Sequence, residues 1–194
     1  STSASNVTIN GKAGDFSGFL IDNVEYEISG ADITLGDTDV DGLNTNDFAG
    51  LGAAVMVSGD SGKLTVTDSS FETTGVAKLP IFVDNGGSLL MKNSSLNAKG
   101  GTIYEGYMST ADQMEMVSPP WVLGLDGAVA NARASNLMGN YSLGVYVDCD
   151  VEAYGWAGLS TDSGSMMHLV AVNTTIDVEK SGYGTYVIGG CTQD

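Results

Sequence analysis

Apolar and polar positions alternate with a period of two over short stretches of this chain, and the stretches return in a common frame. Leu64-Thr65-Val66-Thr67-Asp68-Ser69-Ser70-Phe71-Glu72-Thr73 is followed, 25 residues on, by Leu89-Leu90-Met91-Lys92-Asn93-Ser94-Ser95-Leu96-Asn97-Ala98. A third copy runs from Leu169 to Val178, and a looser fourth from Val145 to Gly155. The shared order is apolar, variable, apolar, variable, Asp or Asn, two small polar residues, apolar. Such alternation turns one side of a short strand inward. The polar group then bends the chain, and the next apolar residue opens a second inward-facing strand.

Each copy reads as one coil that cannot bury its own apolar side, so the coils must stack. Leu64, Val66, Phe71, Leu89, Met91, Leu96, Leu169, Ala171 and Ile176 are then expected to share one core. Asp68, Asn93 and Asn173 should lie above one another, with their side chains satisfying backbone groups of the turn. Joints such as Ser58-Gly59-Asp60-Ser61-Gly62 and Asp84-Asn85-Gly86-Gly87 supply the positive φ of further bends, and Gly184–Gly190 reads as one more strand. Residues 102–125 break the frame and read as an insertion.

Through its coil length and the repeated Asp/Asn-Ser-Ser-apolar turn, the chain resembles the pectate-lyase-like β-helix superfamily over 53–100 and 133–190. The resemblance implies an all-β, right-handed parallel β-helix with an inserted loop at about 102–125; the length fits a single domain over 1–194, or the N-terminal part of a longer or multi-chain solenoid. The resemblance concerns architecture and specifies no activity. The paired Asp-Asp and Gly-His-Gly signatures of pectin hydrolysis are missing, since His168 is the sole histidine.

Composition narrows the class of partner. Acidic residues outnumber basic ones by 24 to 7, and the net charge of −17 opposes phosphate backbones and anionic lipid, which argues against nucleic acid. No apolar run approaches the roughly 20 residues that cross a bilayer, so membrane insertion is not expected. The polar opening Ser1-Thr2-Ser3-Ala4-Ser5-Asn6, without Met, suits either a secreted or cell-surface protein after signal removal or a trimmed chain. Cys149 and Cys191 are open to a disulfide, to separate burial or to a bond with another chain.

Asp37-Thr38-Asp39-Val40-Asp41-Gly42 has the spacing that sets three carboxylates around a hard cation, so Asp37, Asp39 and Asp41 are candidate calcium ligands; the competing reading is an acidic turn. A full twelve-residue loop would close on a carboxylate where Phe48 stands. In the insertion, Tyr104, Tyr107 and Trp121 offer faces for a sugar or aromatic ligand and Glu105 offers a carboxylate. Alternatively, these residues pack the loop onto its scaffold. Arg133, the one arginine, suits an ion pair, a carboxylate clamp or a high-pKa base. Asp148, Asp150 and His168 complete the pool for acid/base work, with structural roles as the alternative.

Three functions remain open: recognition of a glycan or other surface component, an exported lyase, hydrolase or isomerase acting on a carbohydrate or small hydroxylated ligand, and a structural protein that polymerises end to end. A pool gathered in one groove would favour the enzyme. A second chain or another copy is expected to cover the C-terminal coil. If Asp37, Asp39 and Asp41 hold calcium, the ion raises the melting temperature by linkage and Asp39→Ala abolishes the rise, as thermal unfolding with and without calcium would register.

Overall fold

A computed structural model describes residues 2–12, 16–36, 46–101, 132–180 and 182–194. Its strands come in turns of up to three. These are β1 (Ser3–Ser5) and β2 (Thr8–Gly11); β3 (Phe19–Asp22), β4 (Glu25–Ser29) and β5 (Asp32–Gly36); then, after a short helix α1 (Asn46–Ala49), β6 (Val55–Ser58), β7 (Lys63–Thr67) and β8 (Ser70–Thr74). There follow β9 (Ile81–Asp84), β10 (Ser88–Lys92) and β11 (Ser95–Ala98); β12 (Ser135–Asn140), β13 (Leu143–Val147) and β14 (Asp150–Ala153); β15 (Trp156–Val172) and β16 (Thr175–Val178); and finally β17 (Gly182–Tyr186) and β18 (Gly190–Gln193).

All pairing among the described strands is parallel. Strands β2, β5, β8, β11, β14 and β16 form a six-stranded sheet. The remaining twelve form one curled sheet whose two arms are joined by β15. The first arm holds β3, β6, β9, β12, the start of β15 and β17; the second holds β1, β4, β7, β10, β13, the end of β15 and β18. The result is an all-β stack of parallel strands, consistent with a β-helix-like solenoid. Each turn passes from first arm to second arm to six-stranded sheet and back, through three corners.

The 25-residue frame is the pairing register itself. Leu64 faces Leu89, Val66 faces Met91 and Phe71 faces Leu96 across neighbouring strands. Their side chains enter a single core with Ile28, Ile33, Val57, Val83, Tyr146, Val151 and Leu169, while Ala171 and Ile176 pack against it half-buried. Fully burying one such side chain contributes roughly 1.5–3 kcal/mol. The stack also reaches further toward the N-terminus than the repeats suggest, because Tyr26 pairs with Leu64 and Ile33 with Phe71. Gly184–Gly190, read as one strand, is two: β17 and β18 are separated by a bend in which Gly189 has φ 92°.

The corner between the second arm and the six-stranded sheet is the tightest. At each rung one residue is left-handed: Asn6, Gly30, Asp68, Asn93, Asp148 and Asn173 all have φ between 47° and 62°. Asn and Asp adopt this conformation more readily than other residues with a side chain, which is why they occupy the template position. Their side chains bond to each other rather than to the turn, with Asn93 donating to Asp68 and Asn173 to Asp148. The next residue satisfies the backbone instead. Ser69 Oγ accepts from the Ala31 amide at 3.0 Å, Ser94 Oγ from the Ser69 amide at 3.0 Å, and Thr174 Oγ1 from the Cys149 amide at 3.3 Å. Cys149 fills the serine place in this column; both cysteines are free thiols. Burial pushes the Cys149 thiol above its ordinary pKa.

Asn93→Gly keeps the left-handed corner but loses the donor to Asp68 and should cost about 1 kcal/mol, whereas Asn93→Val loses the same donor and should cost about 1–3 kcal/mol more through backbone strain. Urea unfolding of the two variants separates the outcomes, and an equal loss in both would show that φ is not the constraint.

Candidate functional site

The corner from the six-stranded sheet back to the first arm takes up the variation in coil length. Connections 12–18, 37–54, 75–80 and 99–134 all cross it. At the end of β5, Gly36 has φ 96° and a Cβ there would sit 1.8 Å from the Thr74 carbonyl oxygen, so only glycine fits where that strand meets this corner. Part of what leaves folds back over the outer surface of the first arm. Phe82 points outward by strand parity yet is 2% exposed, covered by Ala53 and Leu79 beside Met56 and Met138.

Arg133 lies where the longest of these connections rejoins the stack. It is 1% exposed. Both terminal nitrogens donate to Asp162 Oδ2 at 3.3 Å, and one also donates to Asn136 Oδ1 at 3.3 Å and to Ser160 Oγ at 3.2 Å. The guanidinium lies 3.9 Å from the centre of the Trp156 ring and 5.1 Å from that of Phe48, a cation–π arrangement. Trp156 is itself left-handed at φ 66°, a costly conformation for a bulky side chain. Burial raises the pKa of the Tyr186 phenol, Asp162 adds to the rise, and Arg133 opposes it, so Tyr186 borders the same cluster. Its ring stacks on Tyr183 with centroids 5.5 Å apart.

This arrangement fits an anchor. A guanidinium so enclosed is paired with its carboxylate and screened from a solvent-borne substrate; what it does is tie Phe48, from one excursion, to the first arm. Its partners were not visible as such in the sequence. The one available signal was that a lone arginine needs a carboxylate; that Asn136 and Ser160 pair on adjacent strands and are both fully buried emerges only from the structure.

The other candidates lie elsewhere. Asp148 and Asp150 are together at the opposite corner, lining a groove of about 440 Å³ with Asp32, Asp68 and Asn93. His168 opens the second-arm half of β15 opposite Leu143, exposed, with Nδ1 at 2.6 Å from Thr192 Oγ1. Asp37, Asp39, Asp41, Tyr104, Glu105, Tyr107 and Trp121 fall outside the described residues. Within the described part, Arg133, the Asp148–Asp150 pair and His168 therefore mark three different corners. Among the described residues, no group of three or more His, Cys, Asp or Glu side chains is arranged to hold a metal.

A second groove, about 460 Å³, runs along the six-stranded sheet beside the excursion corner. Asn97, Lys99, Glu152, Tyr154, Asp177 and Glu179 line it. Asn97 donates to Glu152 Oε2 at 2.9 Å, while Lys99 is turned to Glu72 at 2.8 Å and Lys180 to Glu179 at 2.7 Å. No protein family, curated protein or solved structure matches this chain.

Arg133→Met removes the guanidinium donor from Asp162, Asn136 and Ser160, while Ser163 still donates to Asp162 and Ser160 to Asn136. The expected loss is about 3 kcal/mol, the low end for a broken buried pair, since the Asp162 side chain keeps 15% exposure. Adding Asp162→Asn should recover part of it, and a denaturation double-mutant cycle measures the coupling.

Proposed function

We propose that the chain is a secreted or cell-surface right-handed parallel β-helix of the pectate-lyase-like architecture that recognises a glycan or other surface component with one flank. The parallel stack supports the handedness, because strand–crossover–parallel-strand connections are right-handed in about 98% of cases. The observation that carries the functional reading is that the long connections all depart from and return to the stack at one corner, where Arg133 ties Phe48 to the first arm. Variable loops on a rigid scaffold are the usual means of recognition. The separation of Arg133, Asp148–Asp150 and His168 onto three corners supports binding over catalysis by that pool. The flank concerned is the outer surface of the first arm with its two bordering corners.

The test is to screen the full chain against a panel of immobilised neutral, amino and acidic glycans while assaying each for released reducing ends. Binding without release is the expected result, together with loss of binding, at unchanged melting temperature, when 102–125 is replaced by a short Gly-Ser linker. Turnover of a bound glycan, or no binding to any surface tested, would reject the reading.

A further inference from the structure

The corner from the first arm to the second carries a groove of about 500 Å³ lined by Asn23, Gly59, Asp60, Asn85, Asn140 and Tyr141. These residues follow or end β3, β6, β9 and β12, which are consecutive neighbours in the sheet. At about 4.8 Å per strand the groove therefore runs for roughly 14 Å along the stack axis.

Its polar groups are oriented. Asn23 and Asn85 are both left-handed, at φ 51° and 49°, and each gives its amide nitrogen to the preceding carboxylate, Asp22 or Asp84, at 2.9 Å. That leaves the amide oxygens as acceptors. Asn140 is set the other way, its oxygen accepting from the Ser165 amide at 3.2 Å and the Ser165 hydroxyl at 2.8 Å. Its nitrogen is left to donate. Gly59 and Gly86 let the side chains lie close to the backbone: a Cβ on either would come 2.3 Å from the Asn23 or Asp60 side-chain oxygen.

Tyr141 closes the row. It is left-handed at φ 66° and 66% exposed. A bulky side chain in that conformation costs of order 1–3 kcal/mol, and an exposed ring recovers little of this by packing. Asn23, Asn85 and Met166 at the same corner are left-handed as well, and what sets Tyr141 apart is an aromatic face left open to solvent beside the groove.

An aromatic face, amide acceptors at Asn23 and Asn85, an amide donor at Asn140 and one carboxylate, Asp60, together match a ring with an apolar CH face and hydroxyls around its rim. The net charge of −17 disfavours uronate or sulfated rings. The rung spacing is close to the length of one pyranose unit in an extended chain. We propose that this corner binds a neutral linear glycan laid along the stack axis, one ring per coil, with Tyr141 as its stacking platform. The inference deepens the recognition reading above and rests on it.

Calorimetric titration of the full chain with β-1,4-linked gluco- and manno-oligosaccharides, from disaccharide to hexasaccharide, tests it. Affinity should climb with each ring up to the tetrasaccharide, which spans the four coils, and then level off. Tyr141→Gly should lower affinity about tenfold while the melting temperature holds or rises, since glycine relieves the strain. A platform with only a structural role would not separate the two readouts. Asn85→Gly, which keeps the corner conformation, should weaken binding without unfolding the protein. Equal affinity for all lengths, undiminished binding by Tyr141→Gly, equal binding of an oligouronate series, or no binding of the neutral series overturns the proposal. If replacement of 102–125 abolishes glycan binding and Tyr141→Gly does not, the recognition reading stands and this site falls.

Discussion

Everything in this molecule depends on one backbone constraint: at the corner between the second arm and the six-stranded sheet, a single residue must turn left-handed on every rung. Asn6, Gly30, Asp68, Asn93, Asp148 and Asn173 meet it. Because the strand before and the strand after are both tied to this point, fixing the corner fixes the register of two strands at once. A slip of one residue would turn every core side chain outward. The hydroxyl that follows then accepts a backbone amide that would otherwise be buried without a partner, as Ser94 does for Ser69. Short strands that would be marginal alone are held because each corner repeats the geometry of the one below it.

The same constraint explains where the molecule can vary. A corner that stacks residue on residue and bonds rung to rung has no room for an extra residue. The excursion corner is under no such rule, so insertions accumulate there without disturbing the core. What they need is an attachment to the stack, and Arg133 supplies it. A buried cation costs solvation energy that its carboxylate and two aromatic faces must offset. It is retained at the junction where a long connection rejoins the stack, which is where a precise anchor has most effect.

This difference between corners also decides what could be read in the sequence. The frame of 64–75 and 89–100 is legible because the two coils are adjacent with only a short connection between them. The coil formed by β3 to β5 is displaced by 38 residues from the next one, since Ile33 faces Phe71, and the intervening excursion hides its kinship. First-arm strands are less legible still. Phe82 is apolar on the outward side because an excursion covers it, and Ser135 and Thr161 are polar on the inward side, so alternation no longer reports burial. Asp/Asn-Ser-Ser was recognisable as a turn, but the division of labour within it was not: conformation falls to the first residue and hydrogen bonding to the second. The Arg133 site depends on Asp162, 29 residues away, and that proximity exists only once the coils are stacked.

An acidic solenoid faces a further problem, because identical carboxylates on successive rungs would stand about 4.8 Å apart. At that distance like charges repel by about 1 kcal/mol even in water, and by more near a protein surface. The corner column avoids this by alternation. Asp68, Asn93, Asp148 and Asn173 follow one another, and the amides of Asn93 and Asn173 donate to Asp68 and Asp148. Asn97 does the same for Glu152 on the neighbouring sheet, and Asn23 and Asn85 hold Asp22 and Asp84 at the first corner. With 24 carboxylates and only seven lysines and arginines, ion pairs cannot neutralise the surface. Amides disperse the charge instead, and they leave a stack that stays strongly acidic while presenting neutral donors and acceptors along its corners. Such a surface repels polyanions at long range and keeps its amides in place at short range, so the arrangement that lets the coils stack also sets the electrostatic character of the surface.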